Sequence, residues 1–327
     1  PKGLDKNKPA ALVLFISAGE FPAGWRSWQK HCEENRVLFA SPYAAGNTTP
    51  AGQRIRIVLD VLDDVRRAYK VDPDRTCLTG FSGGGRMACA IGFALPEYFG
   101  GVVPLCGTNP LPGPAYQRQL IEDRLSVAFV TGETDDNRKE NEEFMAPWFK
   151  EAGIRSKLFL MPGLGHTVPP PGMVSEIHRW LAQDLDRRRT YRKAHPKLVV
   201  GPDDAPSAAE QSTRWFDAAE ADLADPDRTW RGVCLLQGIA NRWPKSDAAA
   251  KAQAALKKIG SDERILARIE VQAPRDEVKA LTAQAKALER FGNIPKALET
   301  WTLLADRYQD SPAANVAMSN IRRLRGK

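Results

Sequence analysis

Residues Thr76–Leu95 read TCLTGFSGGGRMACAIGFAL, and this stretch decides the fold. A short apolar run leads into the pentapeptide GFSGG, which contains Ser82, and a longer apolar run follows it. A G-x-S-x-G pattern alone is weak, but between a strand and a helix it predicts a sharp turn that exposes the serine hydroxyl. Phosphate-binding loops carry a lysine after the glycines or a G-x-G-x-x-G spacing, and this stretch has neither. We therefore predict that Ser82 is a nucleophile.

Short apolar runs alternate with longer amphipathic ones over the first 188 residues. The expected strands are Ala11–Ser17, Arg36–Ser41, Thr76–Thr79, Gly101–Cys106, Ser126–Thr131 and Lys157–Met161. Such continuous apolar runs are typical of strands buried on both faces, and helical runs between them favour a parallel sheet. Val71–Arg75 contains Pro73 and is expected to be a turn. The sequence predicts a doubly wound, mostly parallel α/β domain over residues 1–188.

The pattern changes after this domain. Residues 189–207 contain several Pro and Gly breakers and are predicted to be a linker. Residues 208–327 show only Ala-rich amphipathic stretches, which we expect to form seven helices with a break between Gln272 and Asp276. Leu235–Ile259 and Thr300–Leu324 are similar to each other, which indicates an internal repeat. We predict a smaller all-α helical-repeat domain that binds a partner protein or docks on the first domain.

A serine hydroxyl needs a base beside it to attack at neutral pH. The chain has four histidines, and only His166 lies in a loop directly after an apolar strand. That position brings the imidazole to the carboxyl edge of the sheet, where Ser82 is expected. His31 falls in a predicted helix beside Lys30 and Glu33 and is expected to be solvated, His178 falls in an amphipathic run, and His195 falls in the predicted linker. We therefore predict that His166 is the base.

The acid that orients this base should follow the preceding strand. Asp135 and Asp136 both lie there, and Glu133 is a more distant third candidate. Aspartate and asparagine commonly cap helix N-termini, and a helix is expected to begin near residue 138. We assign Asp135 to the base and Asp136 or Asn137 to the helix cap. Asp136 stays open as the alternative acid.

Residues 11–188 resemble the α/β-hydrolase superfamily and, within it, the polyhydroxybutyrate depolymerase and feruloyl-esterase-like group. The resemblance rests on the GFSGG pentapeptide, on Gly132–Asp135, on Gly163–His166 and on Val71–Arg75. It implies hydrolysis of a carboxylic ester, in a small molecule or a polymer, through an acyl-serine intermediate. It implies neither a metal nor an organic cofactor. Ala287–Pro312 in the second part resembles a tetratricopeptide repeat, with Gly292 at the turn between two helices.

The family stabilises the oxyanion with backbone N–H groups, which here would belong to Gly83 and Glu20. Its usual His-Gly after the first central strand is replaced by Ser-Ala-Gly-Glu-Phe. A backbone donor needs no histidine side chain, so the N–H of Phe21 or that of Glu20 still qualifies. The Glu20 carboxylate should point away, because negative charge opposes an oxyanion. Phe21, Trp25 and Phe81 are candidates for lining an apolar substrate pocket, which we expect to be open.

Two other functions remain open. A peptidase of the prolyl-oligopeptidase kind shares the nucleophile turn and the chain order of serine, acid and histidine, although such enzymes usually carry a large additional domain. A vestigial hydrolase could instead act as a binding protein through its helical repeats. The retained Ser82, Asp135 and His166 argue against that alternative.

Composition limits the partners. The formal charge is +7, but basic residues interleave with acidic ones and no nucleic-acid reading motif occurs, so we expect no nucleic-acid partner. No run of eighteen apolar residues occurs, which predicts no membrane span. The five cysteines lack a C-x-x-C pair, so we expect no metal site. Because the sequence begins at Pro1 without Met, we expect that a leader preceded it and that the protein is exported.

Overall fold

Six parallel strands form one sheet in the computed structural model, which describes residues 3–5 and 7–326. They are β1 (Ala10–Ile16), β2 (Leu38–Ala40), β3 (Val71–Phe81), β4 (Gly101–Leu105), β5 (Ser126–Gly132) and β6 (Arg155–Met161), in the order β2-β1-β3-β4-β5-β6. Each neighbouring pair is parallel. The predicted doubly wound α/β fold is confirmed. Strand β3 lies between β1 and β4, so Ser82 follows a strand in the interior of the sheet.

Among the described residues, seven α-helices lie between or directly after these strands in the chain: α1 (Trp25–Asn35), α2 (Ala51–Ala68), α3 (Gly83–Ala94), α4 (Ala115–Arg124), α5 (Ala146–Glu151), α6 (Pro171–Ala182) and α7 (Leu185–Ala194). Helix α3 contacts β3 and β4, and α1 contacts α6. Strands β1, β4 and β5 are buried on both faces, as their continuous apolar runs predict, whereas the edge strands β2 and β6 are only partly buried. Val13, Phe15, Val103 and Val130 share one core cluster with Trp28 of α1.

The turn predicted at Val71–Arg75 is wrong, because these residues begin β3. The register explains how the strand accommodates a proline. Ala10 pairs with Val71 but Leu12 pairs with Thr76, so the intervening residues of β3 form a bulge. A proline is tolerated at a bulge because the N–H that it lacks is not required by the ladder.

Two aspartates in this bulge are buried and bound by arginines. Asp74 lies 3.0 Å from Arg124, and both side chains are fully buried. Asp72 lies 2.9 Å from Arg75, and Arg192 lies 3.1 Å from both aspartates. Burial lowers the pKa of Arg124, and the charge of Asp74 opposes that effect. A buried charge requires such pairing, which holds the bulge in place.

Two helices of the first domain differ from the sequence prediction. The helix expected over residues 138–152 is present, but its middle, Glu140–Met145, is a π-helical turn that leads into α5. The helix expected over residues 172–188 is divided between α6 and α7, which continues to Ala194. The stretch predicted to be a linker therefore begins in a helix, and Leu198–Val200 further along it are buried.

The second part is helical, as predicted, and comprises α8 (Ala208–Ala224), α9 (Thr229–Arg242), α10 (Asp247–Ile259), α11 (Glu263–Phe291), α12 (Ile294–Arg307) and α13 (Pro312–Arg325). The break expected between Gln272 and Asp276 is wrong, because α11 continues through Pro274. Gly292 ends α11 with φ of 86°, in the left-handed region that glycine tolerates. No helix of the described residues is long and apolar enough to cross a membrane.

The chain divides into two compact units. The first comprises Pro1–Pro112, Leu120–Ala146 and Ile154–Ala205, and the second comprises Gly113–Gln119, Pro147–Gly153 and Pro206–Lys327. Within the second unit, the Tyr116 and Trp215 rings lie 6.4 Å apart, and Arg290 forms an ion pair with Glu151 at 2.5 Å. The domain boundaries expected from the sequence stay a prediction. The sequence patterns gave no indication that two short internal segments, Gly113–Gln119 and Pro147–Gly153, group with the C-terminal helices.

Candidate active site

Ser82 connects β3 to α3 in a strained conformation, with φ of 55° and ψ of −118°. Such backbone angles cost a residue other than glycine about 1–3 kcal/mol and persist only where surrounding structure enforces them. The Ser82 N–H donates to Leu105 O at 2.8 Å, and its carbonyl accepts from the Gly85 N–H at 2.9 Å. These bonds fix the sharp turn at the carboxyl edge of the sheet.

Glycines beside Ser82 allow the backbone to approach closely. A Cβ atom on Gly84 would lie 2.1 Å from Ile16 O, and one on Gly107 would lie 2.2 Å from Ser82 O. Contacts this short with backbone atoms cannot be relieved by a side-chain movement. Gly84, the last glycine of the GFSGG motif, therefore allows α3 to lie this close to β1.

Replacing Gly84 with alanine should consequently destabilise the protein. Overpacking of this kind costs about 1–3 kcal/mol, so the melting temperature should fall by several degrees. Gly52 is the matched control, because a Cβ atom there meets nothing within 4 Å and Gly52 lies in helix α2. The melting temperature of Gly52→Ala should equal or exceed that of the wild-type protein, since alanine favours a helix. Equal melting temperatures for Gly84→Ala and wild type would refute the packing argument.

The structure brings Asp135 and His166 together at this edge of the sheet. His166 Nδ1 lies 2.9 Å from Asp135 Oδ1, and Asp135 is only 5% exposed. Burial alone would raise the pKa of Asp135, but hydrogen bonds from Cys106, His166, the Asn137 N–H and Thr131 hold it below its ordinary value. An ionised carboxylate only accepts, so Nδ1 carries the proton and Nε2 is left as the basic nitrogen.

The other candidate acids do not contact His166. Asp136 is exposed, and the Glu133 carboxylate accepts from the Gly163 N–H at 2.8 Å. Neither Asp136 nor Asn137 makes the predicted side-chain cap where this helix begins, at Arg138; the Asp135 carboxylate instead accepts from the Asn137 N–H there, at 3.0 Å. The geometry thus favours Asp135 over Asp136 as the partner of His166.

Of the three candidate pocket residues, Phe81 contacts the histidine. The Phe81 and His166 rings lie 4.9 Å apart, and the His166 side chain is 38% exposed. Trp25 packs on Phe39 instead, at 5.3 Å between ring centres. Phe21 is 75% exposed, so it forms no enclosed pocket.

Cys106 is a neighbour of this pair that the sequence analysis did not identify. Cys106, Asp135 and His166 place potential ligand atoms within 4.8 Å of one another. Burial raises the pKa of the Cys106 thiol to about 12, so the thiol keeps its proton, whereas zinc binds the thiolate. The thiol also lies 3.4 Å from Thr167 O. These residues suit a hydrogen-bonded group better than a metal centre.

The loop after β1, residues 17–20, is bound to a second loop, residues 44–49. The Asn47 N–H donates to Ala18 O and the Ala44 N–H donates to Glu20 O, both at 2.8 Å. Arg54, which is buried, donates to Ser17 O at 3.1 Å and to Ala45 O at 2.6 Å. The loop that carries the candidate oxyanion donor Glu20 is thereby held in one conformation.

The Glu20 carboxylate is bound by the second loop. It accepts hydrogen bonds from the Gly46 N–H at 3.3 Å, from Thr49 at 3.2 Å and from the Thr48 hydroxyl. The bond from Thr48 is the main reason why the pKa of Glu20 is lowered. The charge that could oppose an oxyanion is therefore engaged by three donors.

Two of the three remaining histidines lie at the opposite edge of the sheet. A cavity of about 540 Å³ at the amino ends of β1, β3 and β4 is lined by His31, His178 and other residues. The two rings stack at 4.1 Å, and the Trp28 indole N–H donates to His178 Nε2 at 3.1 Å. Burial, with the nearby His31, lowers the pKa of His178 to about 3. His31 is buried rather than solvated as its helical run suggested, and both histidines are remote from Ser82.

Comparison with known proteins identifies the family. No protein-family model matches the chain. NocK of Nocardia uniformis subsp. tsuyamanensis, which bears the name of an esterase, is 40% identical over 260 residues, covering 74% of this chain and 67% of NocK. An Arabidopsis thaliana protein named as a SOBER1-like carboxylesterase is 24% identical over 149 residues, which are 44% of this chain and 56% of that protein. The crystal structure of esterase PE8 covers 54% of this chain and 94% of its own, with 20% identity and a TM-score of 0.43. Through the NocK relationship, the chain belongs to the esterases.

Proposed function

We propose that this esterase cleaves its substrate through an acyl-serine intermediate, with Ser82 as nucleophile, His166 as base and Asp135 as orienting acid. The observation that carries the proposal is the 2.9 Å bond between His166 Nδ1 and Asp135 Oδ1. It lies at the edge of the sheet where Ser82 occupies its strained turn. This arrangement directs one nitrogen of the imidazole to the acid and leaves the other for the serine.

Each residue then has one role in the reaction. His166 Nε2 removes the proton from Ser82 Oγ as the oxygen attacks the ester carbonyl, and a tetrahedral oxyanion forms. Nε2 then gives the proton to the departing alcohol, which leaves an acyl-serine. A water molecule, deprotonated by the same nitrogen, releases the acid and restores Ser82. Asp135 fixes the imidazole tautomer throughout.

Backbone N–H groups stabilise the oxyanion in this proposal. Gly83 is the first residue of α3, and the first N–H groups of a helix have no intrahelical acceptor. The positive end of the helix dipole adds to their effect. The Glu20 N–H is the second donor, on the loop that Arg54 and residues 44–49 hold in place.

The finer assignment is to esters of the kind cleaved by polyhydroxybutyrate depolymerases and feruloyl esterases. Its support is the sequence resemblance, together with Phe81 beside His166 and the exposed Phe21. A peptidase is less favoured because the relatives bear the names of esterases. A tetratricopeptide-like role for the second unit, in binding a partner protein, also remains a proposal, supported by the helical hairpin around Gly292.

A panel of substrates tests the assignment to esters. Wild-type protein should hydrolyse p-nitrophenyl acetate, p-nitrophenyl butyrate and methyl ferulate, and Ser82→Ala should not. A matched peptide p-nitroanilide should react at least 100-fold more slowly than the esters. Comparable kcat/KM for the anilide and the esters would favour the peptidase alternative. Ester hydrolysis that persists in Ser82→Ala would refute the acyl-serine mechanism.

A further inference from the structure

We propose that the side-chain amide of Asn47 is a further catalytic group, whose Nδ2–H donates a hydrogen bond to the oxyanion. This inference rests on the proposed function of Ser82. It concerns a residue on the loop after β2, which neither the G-x-S-x-G motif nor the acid and histidine loops contain.

The position of the amide relative to the nucleophile turn is the first argument. A Cβ atom on Gly83 would lie 2.0 Å from Asn47 Oδ1 and 2.8 Å from Nδ2. The amide thus fills the space where residue 83 would otherwise place a side chain, directly beside the residue after Ser82. The Gly83 N–H is a proposed oxyanion donor, so the Asn47 amide lies next to that site.

The orientation of the amide is the second argument. Arg54 donates from its NH1 to Asn47 Oδ1 at 3.1 Å, and a guanidinium group cannot accept a hydrogen bond. The oxygen of the amide is therefore assigned to Arg54, which leaves Nδ2 and its two hydrogens for another acceptor. Among the described residues, no acceptor for Asn47 Nδ2 is found. Asn47 is exposed, so a substrate can reach the amide.

The rigidity of the loop is the third argument. The Asn47 N–H donates to Ala18 O at 2.8 Å, and Arg54 is itself fixed by bonds to Ala45 O and Ser17 O. A donor that is held in place before the reaction stabilises developing charge without a cost of reorganisation. Residues 46, 48 and 49 bind the Glu20 carboxylate, while the Asn47 side chain turns to Gly83 instead.

Two substitutions of Asn47 test the proposal in the full-length protein. Asn47→Ala removes the donor. Asn47→Asp keeps the shape and an acceptor for Arg54, so it should fold, but it replaces the donor with a negative charge. We expect kcat to fall by about 100-fold for alanine and further for aspartate, with KM changed less than threefold, as for loss of an oxyanion donor. The affinity of a boronic acid that mimics the tetrahedral intermediate should fall in parallel.

Asn109→Ala is the matched control, because the Asn109 amide donates to Arg86 O of α3 at 2.7 Å. Asn109→Ala should keep kcat within threefold of wild type. That result would show that losing an amide contact to α3 is not enough to lower kcat. A kcat within tenfold of wild type for Asn47→Asp would overturn the inference. A loss confined to KM or to melting temperature in both Asn47 variants would also overturn it. Failure of Ser82→Ala to abolish activity would instead refute the proposed function, which this experiment measures separately.

Discussion

Replacing Ser82 with alanine should lower kcat for ester hydrolysis by about a million-fold, by analogy with the loss of other serine nucleophiles. The substitution removes only Oγ. The backbone bonds that hold the turn, from Ser82 N–H to Leu105 O and from Gly85 N–H to Ser82 O, do not involve the side chain. The folded structure and its melting temperature should therefore be unchanged. Initial rates with p-nitrophenyl butyrate and a thermal unfolding curve measure the two quantities.

Ser175→Ala is the control for this variant. Ser175 lines the cavity at the amino ends of β1, β3 and β4, at the opposite edge of the sheet from Ser82, and its hydroxyl donates to Pro171 O. It should keep the wild-type rate. Activity of Ser82→Ala within tenfold of wild type would rule out Ser82 as the nucleophile, provided that the variant is folded.

Replacing Asp135 with asparagine should reduce kcat by about 10⁴-fold. Asparagine has almost the same shape, but its amide can donate to His166 Nδ1 and so favour the tautomer that lacks a basic Nε2. Asp135 also accepts hydrogen bonds from Thr131 at 2.8 Å and from the Asn137 N–H at 3.0 Å. The variant should retain most of its stability through these contacts. Steady-state kinetics measures the loss of kcat, and thermal unfolding followed by circular dichroism measures stability separately.

Asp136→Asn is the matched comparison, since Asp136 is exposed and adjacent in sequence. Its kcat should stay within twofold of wild type. If kcat instead falls about 10⁴-fold in Asp136→Asn and stays near wild type in Asp135→Asn, the orienting acid is Asp136. The roles of Ser82 and His166 would not be affected by that result.

The order of the strands explains why the candidate site could be found from sequence. In a parallel sheet, loops that follow different strands meet at one edge, so residues after β3, β5 and β6 approach one another. The GFSGG turn, the acidic loop and the histidine loop each follow an apolar run that was identifiable as a strand. The assignment of the acid required coordinates, because two adjacent aspartates face different directions in a way that spacing does not reveal.

The contacts that sequence reasoning missed depend on loops meeting in three dimensions. Six residues separate Asn47 from Arg54. Their side chains meet because Arg54 lies in the first turn of α2, next to the loop that carries Asn47. Cys106 looked like one more small apolar residue at a strand end, yet its thiol lies against Asp135. Neither contact leaves a periodic pattern or a motif in the sequence.

Prolines account for two of the wrong secondary-structure predictions. Pro73 lies in a bulge of β3, where buried arginine–aspartate pairs hold the strand together. Pro274 lies inside α11, whose apolar positions continue on both sides of it. Local propensity favours a break at proline in each case, but tertiary contacts override that preference.

Labelling with a fluorophosphonate probe tests the central claim most directly. The probe forms a covalent bond to an activated serine, and mass spectrometry of the digested protein identifies the modified residue. The proposed mechanism predicts one adduct, on Ser82, which is absent in Ser82→Ala and forms at least 100-fold more slowly in His166→Ala. An adduct on another serine, or no adduct in protein that hydrolyses esters, would contradict the assignment of Ser82 as the nucleophile.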